Sequence, residues 1–187
     1  PRHGVMVSSE LAAPGAYAGG FQLEDVAAGL YGQRVTFWDW RERKVTQTFD
    51  LGDEGLVPLE VRFLHDPDST HGYVGAALSS SLWHWHKPNG RWEVSKVVQM
   101  EPLGVEGWPF PVPPLTVDLL LSLDDRFLYL SNWLHGDVRQ YDVTDPASPR
   151  LVGRAWLGGV LGRSPEVRGT RLRGGPQMLQ LSLDGKR

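Results

Sequence analysis

An apolar stretch that runs into an Asp-containing tight turn occurs three times in this 187-residue chain. Residues 119–126 (LLLSLDDR) lead into 127–131 (FLYLS), and residues 178–187 (MLQLSLDGKR) carry the same pattern. A more diverged copy, residues 59–67 (LEVRFLHDP), precedes 72–78 (GYVGAAL). Asp-Asp and Asp-Gly tolerate positive φ and hydrogen-bond their own backbone, so each copy reads as a strand entering a hairpin turn. A repeat constrains the architecture more than any single motif, because each unit needs its neighbours to cover its apolar faces.

The unit extends beyond the hairpin. Residues 35–40 (VTFWDW) pair in pattern with 44–49, residues 82–86 (LWHWH) with 92–98, and residues 138–143 with 151–156. Each unit is therefore four short antiparallel strands, with a period of roughly 60 residues, above that of common propeller repeats. Such units arranged radially are the blades of an all-β fold, the β-propeller. The chain holds about three blades, the first without its opening strand and a fourth with only its first strand. An open arc leaves bare strand edges. Residues 1–187 are therefore expected to be part of a single β-propeller domain, truncated at both ends. A β-sandwich of about a dozen strands is the competing architecture.

Composition agrees with short elements. There are 22 Gly and 14 Pro to punctuate them, and 8 Trp suited to pleated surfaces. Residues 22–28 allow one or two helical turns inside an Ala/Gly/Pro-rich loop, residues 158–173 form a Gly/Arg loop, and residues 101–114, with five prolines, suggest a largely extended crossing. The formal net charge of −3 leaves no electrostatic footprint for nucleic acid. No run of about 18 apolar residues predicts a transmembrane segment. Cysteine is absent, which excludes thiol chemistry within this stretch. Cytoplasmic and periplasmic locations both stay open.

Six histidines are the candidates for metal binding or proton transfer. His135 lies between two strands of one blade, and His3 precedes the strand at residues 5–9 in what reads as a comparable place. A histidine that a rigid scaffold presents on a loop is a functional candidate. His65 ends an inner strand and joins them. His84 and His86 share one face of their strand, and the alternation gives Trp83 and Trp85 the buried face and the histidines the wet one. His71 reads as a solvent-exposed turn residue. Among the acids, Glu10, Asp118 and Asp137 draw interest. Asp118 lies in an apolar run and must find a partner, for which backbone amides or a turn suffice. There is no phosphate loop, no Gly-x-Ser-x-Gly elbow and no His-Glu-x-x-His.

Residues 1–10 (PRHGVMVSSE), 12–14, 28–32, 58–65 (PLEVRFLH), 121–129 (LSLDDRFLY), 131–137 (SNWLHGD) and 174–178 (GGPQM) closely resemble the selenium-binding protein family. The resemblance runs along the whole chain and covers the middle to later part of the family sequence. It implies a seven-bladed propeller. It also implies a methanethiol oxidase, converting methanethiol, O2 and water to formaldehyde, hydrogen sulfide and hydrogen peroxide with copper as cofactor. Selenium would bind through a cysteine outside this chain. His135 and His3 match family histidines and become the catalytic candidates; His3, His65 and His135 become the metal-ligand candidates, with most copper ligands outside this stretch. Leu11 stands where the family commonly has Trp, and the 158–173 loop is shorter than in animal members. Two other readings compete: a selenium- or protein-binding propeller without turnover, and, more distantly, a propeller lactonase.

Overall fold

The computed structural model describes residues 4–185. The chain is nearly all-β, and its strands form successive antiparallel meanders. The first sheet has three strands, β1 (Val5–Ser9), β2 (Arg34–Asp39) and β3 (Lys44–Asp50). The second has four: β4 (Pro58–Phe63), β5 (Gly72–Ala76), β6 (Ser81–His86) and β7 (Glu93–Gln99). The third repeats it with β8 (Thr116–Leu121), β9 (Phe127–Asn132), β10 (Asp137–Asp142) and β11 (Arg150–Trp156). Each four-stranded sheet runs in chain order, first strand at one edge and last at the other. Inner strands of successive sheets pack on one another, β1 against β4 and β4 against β8. This is a propeller-like arrangement, with three strands in the first sheet and four in each of the next two among the described residues.

Sheet stacking explains why the middle strands lose the two-residue alternation. All of β5 is buried, and β6 is buried at four of six positions. A strand sandwiched between two neighbouring sheets has no wet face, so apolar residues fill both sides. One seam buries Phe37 of β2 against Trp92 and Trp85 of the second sheet, stacked at 4.5 Å and edge-on at 5.8 Å. The other buries Tyr73 and Leu82 with Leu119, Leu128, Leu130 and Tyr141. The reading that gives His84 a wet face is corrected accordingly: His84 is 1% exposed. His71 is half-buried rather than a free surface residue.

The connections depart from expectation in three places. Residues 101–114 fold back on themselves instead of crossing extended: Leu103 and Val112 exchange both backbone hydrogen bonds, at 2.9 and 2.8 Å. The loop at residues 11–31 holds two short helices, α1 (Pro14–Ala18) and α2 (Leu23–Ala27); α1 was unforeseen and starts with a proline, whose absent N–H costs nothing at a helix start. The 158–173 loop contains a minimal hairpin, β12 (Glu166–Val167) with β13 (Thr170–Arg171). Residues 178–183, expected to open a further strand, join no ladder among the described residues.

Candidate functional site

His135 sits in the turn between β9 and β10. Gly136 closes that turn with its N–H on the Asn132 carbonyl, and its φ of +76° suits glycine. The turn is pressed so close to the next loop that a Cβ on Gly136 would lie 2.2 Å from the Gly159 nitrogen. Locked in this way, the turn sends the imidazole inward, where it is 0% exposed. The Nε2–H donates to the Val112 carbonyl at 2.9 Å. A carbonyl can only accept, so this bond fixes the tautomer and leaves a lone pair on Nδ1. Nδ1 is buried and has no hydrogen-bond partner. Burial lowers the His135 pKa, opposed by the Val112 bond and by Asp137.

Around it runs a buried polar network. Thr116 Oγ1 donates to Asn132 Oδ1 at 2.7 Å, and Asn132 Nδ2 donates to Asp137 Oδ1 at 2.9 Å. The other Asp137 oxygen holds Arg139 Nε at 2.9 Å and Arg154 Nε at 3.1 Å. Asp137 is therefore a fully buried carboxylate matched by two guanidiniums, which compensates the cost of desolvating it. Asp118 does what its apolar setting demands: its oxygens accept the amides of Leu119 at 2.8 Å and of Leu179 at 2.6 Å. The second bond pins residues 174–183 to the third sheet, helped by Ser131 Oγ donating to the Gln177 carbonyl at 3.1 Å.

The structure does not bring the three candidate histidines together. His65 follows β4 and is exposed, and its amide and that of Asp66 donate to the Asp125 carboxylate, both at 2.7 Å. Asp125 lies in the β8–β9 turn, at the end of the sheet opposite His135. The six-residue strands between the two ends rise ~3.3 Å per residue, which puts the ends about 20 Å apart. His65 and His135 therefore cannot share one ion. His3 lies outside the described residues. Glu10, just past β1, borders a cavity of about 550 Å³ with Pro14, Tyr31, Arg34, Asp53 and Leu56. Its carboxylate accepts the Gln33 amide at 3.4 Å and lies 4.0 Å from the Arg34 guanidinium.

One cluster escaped the sequence reading. His71 Nδ1 and His84 Nε2 are 2.7 Å apart, and the His86 ring lies 5.5 and 5.4 Å from theirs. Burial, then His71 and His86, pushes the His84 pKa down to about 4. The signal was the His-x-His pair with a third histidine one residue ahead of the neighbouring strand. Among the described residues, no three His, Asp or Glu side chains converge to hold a metal ion. As regards copper, the described residues offer one orphaned imidazole nitrogen, on His135, and do not by themselves form a site for it.

Comparison with known proteins gives one consistent answer. The family described as 56 kDa selenium binding protein matches residues 1–187. A methanethiol oxidase of Xenopus laevis is 53% identical over the whole chain, and the chain covers 44% of that protein. The human methanethiol oxidase and selenium-binding protein 2 of Mus musculus are each 52% identical, with 43% of their length covered. The chain thus spans less than half the length of these relatives. Among solved structures, a hypothetical selenium-binding protein of Sulfolobus tokodaii superposes with a TM-score of 0.91 at 43% identity, over 97% of this chain and 42% of that one. A putative 6-phosphogluconolactonase of Bacteroides fragilis reaches a TM-score of 0.56 at 14% identity, over 99% of this chain and 47% of its own, which speaks to fold alone.

Proposed function

Because the chain belongs to the 56 kDa selenium-binding protein family, we propose that the protein carrying it is a methanethiol oxidase. The reaction is oxidation of methanethiol with O2 and water to formaldehyde, hydrogen sulfide and hydrogen peroxide. The three sheets are part of a seven-bladed ring. Copper is the cofactor that supplies redox chemistry toward O2 when bound, and imidazole is a ligand type it favours.

The observation that carries the reading within this chain is the bare Nδ1 of His135. A buried imidazole nitrogen without a partner is costly, and such an atom is explained when a group outside the chain completes it. His135 supplies one imidazole donor or proton acceptor there, with its tautomer set by Val112 and its turn held by Gly136. The remaining ligands come from parts of the protein beyond these residues. His65, also proposed as a ligand, would have to serve a different ion or none, given the separation of the His65 and His135 ends, and His3 stays a proposed ligand outside the described residues.

A second reading is a selenium- or protein-binding propeller without turnover. It is favoured by the saturation of the rest of the network: Asp137 and Asp118 are fully engaged in holding the fold, and neither is poised as a base. The test uses the full-length protein and its His135→Ala variant. Copper content by mass spectrometry and methanethiol-dependent peroxide release are measured, with an unfolding curve to confirm that the variant is folded. Copper and turnover in the parent, both lost in the variant, support His135 as a ligand. Turnover lost with copper retained makes it a proton-transfer residue. A parent with neither copper nor turnover overturns the oxidase and leaves the binding propeller.

A further inference from the structure

The His71–His84–His86 cluster lies at the end of the second sheet away from His135, and the proposed reaction makes no use of it. His84 stands on β6 directly opposite Tyr73 on β5, and their rings are 5.5 Å apart. The Tyr73 hydroxyl crosses to the third sheet, donating to the Pro146 carbonyl in the β10–β11 turn at 2.9 Å. His71 precedes β5 and places its ring edge to edge with that of His84, centroids 5.0 Å apart and planes 22° from parallel. We propose that His71, His84 and His86 form an acid-released latch on the seam between the second and third sheets.

The chemistry follows from proton counting. Two neutral imidazoles facing each other at 2.7 Å share one N–H, which donates to the lone pair opposite. A first added proton can be held as imidazolium donating to imidazole. A second leaves two N–H groups face to face with no acceptor, and the bond breaks. The His86 ring, within 5.5 Å of both, adds to the cost of placing a proton on His71 or His84.

Other groups facing the cluster do little to offset this. Tyr73 on β5 is occupied with Pro146, and its hydroxyl also feels Asp125 and Asp145. Glu93 on β7 is 3.6 Å from His86 Nε2 but is largely exposed, and Asp145 in the β10–β11 turn is exposed too, so solvent screens both. Lys87 lies over the Trp92 ring at 5.1 Å. Burial dominates, and it opposes charge on His84 and on His71. Both histidines bind protons more weakly in the folded seam than in an opened one. Opening is therefore favoured as pH falls below about 6.5, the ordinary histidine value, by roughly tenfold per pH unit for each proton taken up.

The test is amide hydrogen exchange on the full-length protein between pH 7.5 and pH 5, after correction for intrinsic exchange rates. Protection in residues 71–76, 81–86 and 144–149 should fall at least about tenfold per pH unit below pH 6.5, one proton's worth, while the first sheet holds. His84→Gln keeps a polar partner for His71 and should abolish the extra pH dependence. His71→Gln serves the same purpose if His84→Gln folds poorly. No pH dependence at the seam, or the same slope in a folded variant, overturns the latch.

Discussion

Val57 and Leu115 occupy the same place in successive sheets, each just before the first strand and each with left-handed backbone, φ +57° and +56°. Val57 donates its amide to the Gly32 carbonyl, and its own carbonyl accepts the Ala77 amide. Leu115 donates to Ser80 Oγ, and its carbonyl accepts the Trp133 amide. A bulge in the strand pairing follows in both sheets. Non-glycine residues held in this region cost ~1–2 kcal/mol each. At position 57, Gly should therefore be more stable than Ala by about 1 kcal/mol, the reverse of the usual order in regular structure. Urea midpoints of Val57→Gly and Val57→Ala in the full-length protein decide it; Ala equal to or above Gly would show that the bends carry no strain.

Asp118 ties two segments together that lie 61 residues apart in sequence. Removing a buried carboxylate leaves the Leu179 amide without its acceptor. Asp118→Ala should cost ~2–4 kcal/mol, and Asp118→Asn, which keeps one acceptor oxygen, should cost less. Hydrogen exchange at residues 177–181 should speed up in both. Unchanged protection there would mean that the segment is held by packing alone.

These two features show where sequence suffices and where it does not. The repeat of strand and Asp turn was legible because turn residues and apolar runs are local properties. The same locality gave Asp118 its backbone partners, since an acid in an apolar run has few other options. The alternation argument failed at His84 because a blade face is covered by the next blade, a contact no local pattern encodes. His65 and His135 looked alike as strand-end histidines, and only the direction of the strands separates them. The return of residues 101–114 on themselves was hidden because proline marks breaks in the chain but not where it goes after them.

Gly136 offers a sharp test of how the His135 turn is held. A methyl there would meet the backbone of Gly158 and Gly159 at 2.4 and 2.2 Å, and neither can give way cheaply. Gly136→Ala should destabilise by roughly 3 kcal/mol or more, combining the positive φ with overpacking. Gly153→Ala is the control, since its methyl would meet only the flexible Gln140 side chain, at 3.1 Å. It should shift the urea midpoint little. Equal effects at the two sites would argue that the close approach of the 136 and 159 loops is not maintained in solution.

Two buried histidines should give the protein a definite acid sensitivity. The His84 pKa is pushed down to about 4 by burial, and burial lowers that of His135 as well. In the unfolded chain both return to about 6.5. Below that value the unfolded state binds protons that the folded state lacks, so the equilibrium moves toward unfolding as pH falls. The contribution of each neutral histidine is thus complete above pH 6.5 and is lost as pH drops through the window from about 6.5 toward the folded value, about 4 for His84. Urea midpoints should be level from pH 8 to 7 and decline from pH 6.5 to 4.5. His84→Gln and His135→Gln should each flatten that decline, and because the sites lie at opposite ends of the sheets their effects should add. If neither variant flattens it, the two imidazoles are not the groups that must stay neutral for the sheets to pack, and the acid sensitivity belongs to the carboxylates.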